Sequence, residues 1–201
     1  FAVMGLLKDL GCKVTDLGIV PDDKDTITNT LNKAAASHDV VITSGGVSAG
    51  EADHIKAAVE KNGSIYFWRL SVKPGRPIAL GQVANTPFVG LPGNPVAAMV
   101  TFMILARPLI LILAGASDLS ATRFPVKAGF DYKKKIGRRE WVRAKLQHRG
   151  DSLIAQNYEA GGSGILRSMV FADGLIELSE EQVDVSIGDM VNFLPFNEVT
   201  R

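Results

Sequence analysis

Three short segments gather the residues able to do chemistry: Thr43-Ser44-Gly45-Gly46-Val47-Ser48-Ala49-Gly50-Glu51-Ala52-Asp53, then Lys73-Pro74-Gly75-Arg76-Pro77, then Gly90-Leu91-Pro92-Gly93-Asn94-Pro95. In the first, three glycines let backbone N–H groups approach an anion closely. The hydroxyls of Thr43, Ser44 and Ser48 add donors, and a helix N-terminus adds partial positive charge. The same composition also suits an ordinary glycine-rich turn. Asp53, at the start of the next helix, reads two ways. A carboxylate there is an N-cap, and beside a phosphate it is a Mg²⁺ ligand.

In the second segment two prolines and a glycine stiffen a loop carrying Lys73 and Arg76, with Arg69 just upstream. Cations with fixed directions suit an oxyanion, arginine through its planar fork and lysine as a point charge. A solvated turn is the plainer reading of the loop taken alone. The third segment has a full structural explanation, with Asn94 as N-cap and Pro95 at the first helical position. Its functional value is a rigid wall of Pro92 and Gly93 with exposed N–H groups.

Elements placed by periodicity and punctuation must position these loops. Residues 1–10 read as a helix closed by Gly11, and residues 13–20 as a strand. Asp25 or Thr26 caps a helix running to about Ser37. Residues 39–43 form a short apolar strand leading into the glycine loop, and residues 53–61 a further helix. Strands follow over 64–70, 77–82 and 87–90, with a turn at Asn85-Thr86 between the last two. Residues 95–113 read as a long buried helix ending near Pro108. Strand–helix alternation predicts a largely parallel sheet with helices on both faces. After residue 116 the pattern changes to short strands over 124–130, 141–147, 153–156, 175–178 and 190–194, which predict a small β-barrel.

Size and composition agree with two small domains, 1–116 and 117–201, of a chain of 201 residues with 46% hydrophobic content. The net charge of +1 lacks the basic excess of a nucleic-acid-coating protein. Yet residues 61–117 contain no acid and five cations: Lys61, Arg69, Lys73, Arg76 and Arg107. That excess predicts a locally positive surface if the side chains converge. Cys12 is the only cysteine and reads as a small buried apolar residue. His38, His54 and His148 have no zinc-ligand spacing. The apolar run over 96–116 is long enough to span a membrane but contains Arg107 and Pro108. A charge near a bilayer centre costs at least ~2.5 kcal/mol, so no membrane span is expected. Phe1 opens directly in a helix without a signal-peptide pattern, as in a segment of a longer protein.

In this order the three segments resemble the MoeA/gephyrin-E family, whose catalytic domain carries S-G-G-V-S-x-G-[DE]-x-D, K-P-G-[KR]-P and G-L-P-G-N-P. All three are intact here. The likeness extends upstream through Asp16-Leu17-Gly18-Ile19-Val20-Pro21-Asp22-Asp23 and downstream to Gly162-Ser163-Gly164-Ile165-Leu166-Arg167-Ser168-Met169. It implies a three-layer α/β/α domain like that of MogA, followed by a small β-barrel. It also implies an enzyme of molybdenum cofactor biosynthesis that inserts molybdate into adenylylated molybdopterin and releases AMP, with Mg²⁺ as cofactor. Molybdate is then a substrate. Carried onto matching positions, Asp53 is the essential acid and metal ligand. Lys73 and Arg76 are oxyanion ligands with Arg69 nearby, Pro92 and Pro95 shape the pocket, and Arg143 and Ser163 complete the oxyanion site. Gly45, Gly46, Gly93 and Asn94 line the same loops.

The resemblance further implies a cytoplasmic homodimer supplied by a MogA-type adenylyltransferase. The family's first strand and N-terminal domains would precede Phe1, so the chain is expected to be less active than a complete protein. Two other readings are a MogA-like molybdopterin adenylyltransferase and a gephyrin-like scaffold. The first shares the fold but not the second and third loops. The second needs a partner-binding surface that sequence does not display.

Overall fold

Ala2–Asp9 forms helix α1, ended by Gly11 at φ +78°. Gly11 N–H donates to the Lys8 carbonyl and Cys12 N–H to the Leu7 carbonyl, the paired bonds of a Schellman cap. Helix α2 (Lys24–Ala35) is capped by Asp23, whose carboxylate accepts from Thr26 N–H, so the cap lies two residues before the expected Asp25. Strand β1 (Val41–Ser44), helix α3 (His54–Asn62), and strands β2 (Gly63–Arg69), β3 (Val72–Lys73), β4 (Pro77–Val83) and β5 (Thr86–Leu91) follow. A single apolar stretch then runs through α4 (Pro95–Thr101), a π-helical turn (Phe102–Ala106) and α5 (Arg107–Leu113). The computed structural model describes residues 1–47, 54–150, 152–158 and 165–200. They divide into one unit of Phe1–Leu70 with Gly75–Ser117, and a second of Ser71–Pro74 with Asp118–Arg201.

The first unit is built on a sheet ordered β1-β5-β4-β2. Neighbouring residues alternate between two cores. Ala79 and Phe88 point to the core shared with α2 and α3, while Ile78 and Val89 point to the core shared with α1 and α4. Period-two alternation with both faces apolar is what a sheet covered on both sides requires. In β2 the register shift between Ile65 and Phe67 turns them to opposite cores. The result is the expected three-layer α/β/α arrangement.

Several sequence expectations need correction. The sheet is mixed, with β1 and β5 parallel but β4 antiparallel to both β5 and β2. The two-residue turn Ala84-Asn85 between β4 and β5 dictates this, since parallel neighbours need a crossover of a dozen or more residues. The turn also lies one residue earlier than expected, with Ala84 at φ +51°. Residues 13–20 form no strand. Asp16 accepts from Gly18 N–H in a local turn, and Ile19 is fully exposed. The long helix spans the expected 95–113 but runs through Pro108 rather than ending near it, because the π-helical turn ahead of it rearranges the carbonyl ladder at the point where proline lacks an N–H. Cys12 is half-buried beside the α1 core rather than enclosed. The combined helix Pro95–Leu113 is long and apolar enough to cross a membrane, and over half of it is buried within the fold.

In the second unit the strands are β3, β6 (Phe124–Ala128), β7 (Tyr132–Lys133), β8 (Arg139–Arg149), β9 (Ser152–Asn157), β10 (Gly174–Leu178), β11 (Asp184–Val185) and β12 (Met190–Pro195), with one short helix, α6 (Arg167–Phe171). Five of them close a barrel in the order β10-β12-β6-β9-β8, the ring completed by β8 pairing with β10. Closure removes exposed sheet edges. All five barrel strands match the expected positions. Val126, Val142, Ala144, Ile176 and Phe193 fill the interior. Truncating a fully buried phenylalanine such as Phe193 typically costs about 3–5 kcal/mol. Gly174 is required where β10 meets β12, because a Cβ there would stand 2.3 Å from the Leu194 carbonyl oxygen.

Candidate functional site

In the first unit, strand directions bring the loops of interest to one edge. β1 and β5 run parallel with Ser44 opposite Leu91, so the glycine loop and the Pro92-Gly93-Asn94 segment leave the sheet side by side. β4 is antiparallel to β5, so its first residue, Pro77, lies at that same edge. β2 ends there too, with Arg69 opposite Pro77. Arg69 and Arg76, both exposed, flank the point where the chain leaves and rejoins the sheet, and Leu70 N–H donates to the Arg76 carbonyl across it. The sequence-predicted residues Thr43, Ser44, Gly45, Gly46, Arg69, Arg76, Pro92, Gly93, Asn94 and Pro95 therefore share one sheet edge.

The two glycine loops touch. Gly45 N–H donates to the Leu91 carbonyl and Ser44 Oγ to the Pro92 carbonyl, at 3.0 and 3.3 Å. Gly45 and Gly46 have φ of +92° and +70°, and a Cβ on Gly46 would stand 2.3 Å from Ile55 Cδ1. Thr43 Oγ1 is buried and has no hydrogen-bond partner among the described residues. Asn94 caps α4 by accepting from Val96 and Ala97 N–H, with Pro95 at the helix start. Gly75, at φ +99°, packs so tightly on α4 that a Cβ would meet Thr101 Cγ2 at 2.1 Å. Ser48 and Asp53 lie outside the described residues. Among those described, no group of three His, Cys, Asp or Glu side chains could hold a metal ion.

Lys73 and Arg143 belong to the second unit, and Ser163 lies outside the described residues. Strand β3 pairs with β8 in parallel, setting Lys73 opposite Glu140. Lys73 Nζ donates to the Tyr132 hydroxyl at 2.9 Å and lies 3.1 Å from Glu140 Oε2. Tyr132 in turn donates to Oε2 at 2.7 Å, and Arg138 binds the other carboxylate oxygen. Glu140 is 1% exposed. Its burial favours the neutral acid, but donors from Tyr132, Arg138 and Lys73 outweigh this and hold it below the usual glutamate value. Burial likewise opposes the Lys73 charge, and its bonds to Tyr132 and Glu140 more than compensate, raising its pKa.

Sequence reading singled out Lys73 but missed Glu140, Tyr132 and Arg138. One signal was available. In Glu140-Trp141-Val142-Arg143-Ala144 the glutamate shares strand parity with the interior residues Val142 and Ala144. A carboxylate on a core-facing register position requires partners. Arg143, on the opposite parity, donates from Nε to Ser168 Oγ at 3.2 Å, while Ser168 donates to the Ile165 carbonyl. Burial pushes the Arg143 guanidinium pKa down.

Comparison with known proteins matches the chain in two stretches. Residues 2–111 match the family described as "Probable molybdopterin binding domain", and residues 125–196 match "MoeA C-terminal region (domain IV)". A molybdopterin molybdenumtransferase of Haemophilus influenzae is 40% identical over 202 residues, covering 99% of this chain and 50% of that protein. Molybdopterin molybdenumtransferase 2 of Mycobacterium tuberculosis (strain H37Rv) is 32% identical, over 90% of this chain and 46% of its own. The crystal structure of a MoeA molybdopterin biosynthesis protein from Pyrococcus horikosii superposes with a TM-score of 0.80 at 27% identity, covering 97% of this chain and 46% of that one. The chain thus spans about half the length of the curated relatives it matches.

Proposed function

The chain belongs to the molybdopterin-binding family that includes MoeA and gephyrin, and from that premise we propose that it takes part in inserting molybdate into adenylylated molybdopterin with release of AMP. One observation carries the reading: the glycine loop, the Arg69/Arg76 pair and the Pro92-Gly93-Asn94 wall share the edge of one sheet. Ligands of open α/β sheets bind at the carboxyl ends of strands. Ser44 and Gly45 brace this edge through their bonds to Pro92 and Leu91, and the exposed Arg69 and Arg76 supply charge suited to a phosphate. In the second unit Lys73 and Arg143 supply cations of the kind a tetrahedral oxyanion such as molybdate requires.

The chemistry asks for positioning and charge neutralisation more than for a protein nucleophile. The described residues do not by themselves make a Mg²⁺ site. Asp53, together with substrate phosphate oxygens, would hold a magnesium ion that neutralises phosphate charge. The reading brings with it substrate supply by an adenylyltransferase and a cytoplasmic homodimer. The test is molybdate-dependent AMP release from adenylylated molybdopterin by the purified chain. Arg76→Ala removes a charge-assisted contact worth about 1.5–3 kcal/mol, so weaker substrate binding with an unchanged fold is expected. ATP consumption with free molybdopterin would instead select the adenylyltransferase reading.

A further inference from the structure

We propose that Glu140 is a positioning residue for Lys73, acting from beneath the barrel surface, with the Tyr132 hydroxyl as the bridge that fixes where the ammonium points. The inference deepens the proposed function, since it rests on Lys73 meeting an oxyanion. Its geometry lies wholly within the second unit.

Glu140 uses both carboxylate oxygens, Oε1 for Arg138 and Oε2 for Tyr132 and Lys73. The acid is enclosed while the Lys73 side chain is 45% exposed. The negative charge therefore sits behind the cation, and an anion arriving from solvent meets the ammonium first. An ammonium has three N–H donors. Tyr132 and Glu140 engage two, leaving one for a ligand. The charges of Lys73, Arg138 and Glu140 sum to +1, so the cluster keeps net positive charge while both cations are tethered. Lys73 Nζ lies off the hydroxyl end of Tyr132, 5.4 Å from the ring centroid, so the phenol holds it through its oxygen. Among the described residues, Tyr132 from β7 and Glu140 from β8 are the titratable groups facing Lys73. A lysine chosen only to cap a buried acid needs no bridging hydroxyl, and one left to bind ligand alone would lose rotamer entropy on each encounter.

The experiment uses the full chain with ¹³C-labelled lysine, following the Lys73 Cε resonance through a pH titration in wild type, Glu140→Gln and Tyr132→Phe. Lys73→Arg assigns the signal. Expected is a Lys73 titration moved to lower pH in both variants, and a KM for molybdate in AMP release raised about tenfold in Glu140→Gln with a smaller change in kcat. Glu140→Asp should restore part of both effects. Should Glu140→Gln fail to fold, Tyr132→Phe retains the buried charge and reads the same titration. An unmoved Lys73 titration in a folded variant overturns the proposal. A moved titration with unchanged molybdate KM in both variants removes Lys73 from the oxyanion site, and so strikes the functional reading while leaving the Glu140–Lys73 coupling in place.

Discussion

At the scale of single residues, the chemistry depends on side chains whose types admit two uses. Thr43, Ser44, Gly45 and Gly46 were legible as anion-binding candidates because hydroxyls and glycines at a strand end have few other reasons to cluster. Glu140 and Tyr132 were not legible as Lys73 partners. Glu140 reaches Lys73 through the β3–β8 pairing and Tyr132 comes from a separate strand, and two-residue strands leave no periodic trace. Asp53 is the sharpest case of double use. As a helix cap alone, Asp53→Asn should be nearly silent, since asparagine caps about as well as aspartate. As a ligand for a metal beside phosphate, the change removes a charge and keeps the shape. Loss of one such preorganised contact typically costs about 10²–10³ in rate. The expected outcome is an unchanged melting temperature with AMP release nearly abolished. Normal AMP release would return Asp53 to a capping role.

At the scale of elements, the five barrel strands and the helix–sheet succession were readable from period-two and period-3.6 patterns. Parallel or antiparallel direction was not. Strand–helix alternation pointed to parallel neighbours, but the tight Ala84-Asn85 turn decides the direction of β4 and with it places Arg69 and Arg76 at the loop-bearing edge. The π-helical turn escaped notice for a related reason, because Pro108 read as a stop signal while apolar packing on the α1 core carries the helix past it. Asn94 ties an element to the site. Its side chain satisfies two N–H groups at the start of α4 and so fixes the path of Pro92 and Gly93. Asn94→Ala should cost about 1 kcal/mol of stability and weaken substrate binding. Asn94→Asp should preserve the cap yet set a carboxylate beside the anion. Thermal melts and KM for adenylylated molybdopterin separate these effects, and equal KM values for the two variants would confine Asn94 to the cap.

At the scale of the whole molecule, the two units differ in how their stability depends on protons. Second-unit carboxylates held below their usual values include Glu140, Glu180 through hydrogen bonds from Arg139, and Asp118 through Ser120. Among the described residues of the first unit the corresponding group is Asp23, through Thr26. A carboxyl with a lowered folded-state pKa stabilises the fold above its unfolded value, and that stabilisation disappears as the pH falls through the folded one. For Glu140 the loss begins below the ordinary glutamate value of 4.5 and leaves Lys73 and Arg138 beside a neutral acid. Glu140 is enclosed but its partners Lys73 and Arg138 are partly exposed, so protonation weakens the unit by removing their attraction rather than by stranding a buried charge. The chain has two tryptophans, Trp68 in the first unit and Trp141 in the second, so Trp68→Phe and Trp141→Phe each leave one reporter. The Trp141 signal should lose melting temperature more steeply than the Trp68 signal as the pH drops from 7 to 3. Glu140→Gln cannot gain or lose that proton, so it should lower the Trp141 transition at pH 7 and flatten its dependence in acid. Coincident acid profiles for the two tryptophans, unchanged by Glu140→Gln, would contradict the assignment of the barrel's acid sensitivity to this buried carboxylate.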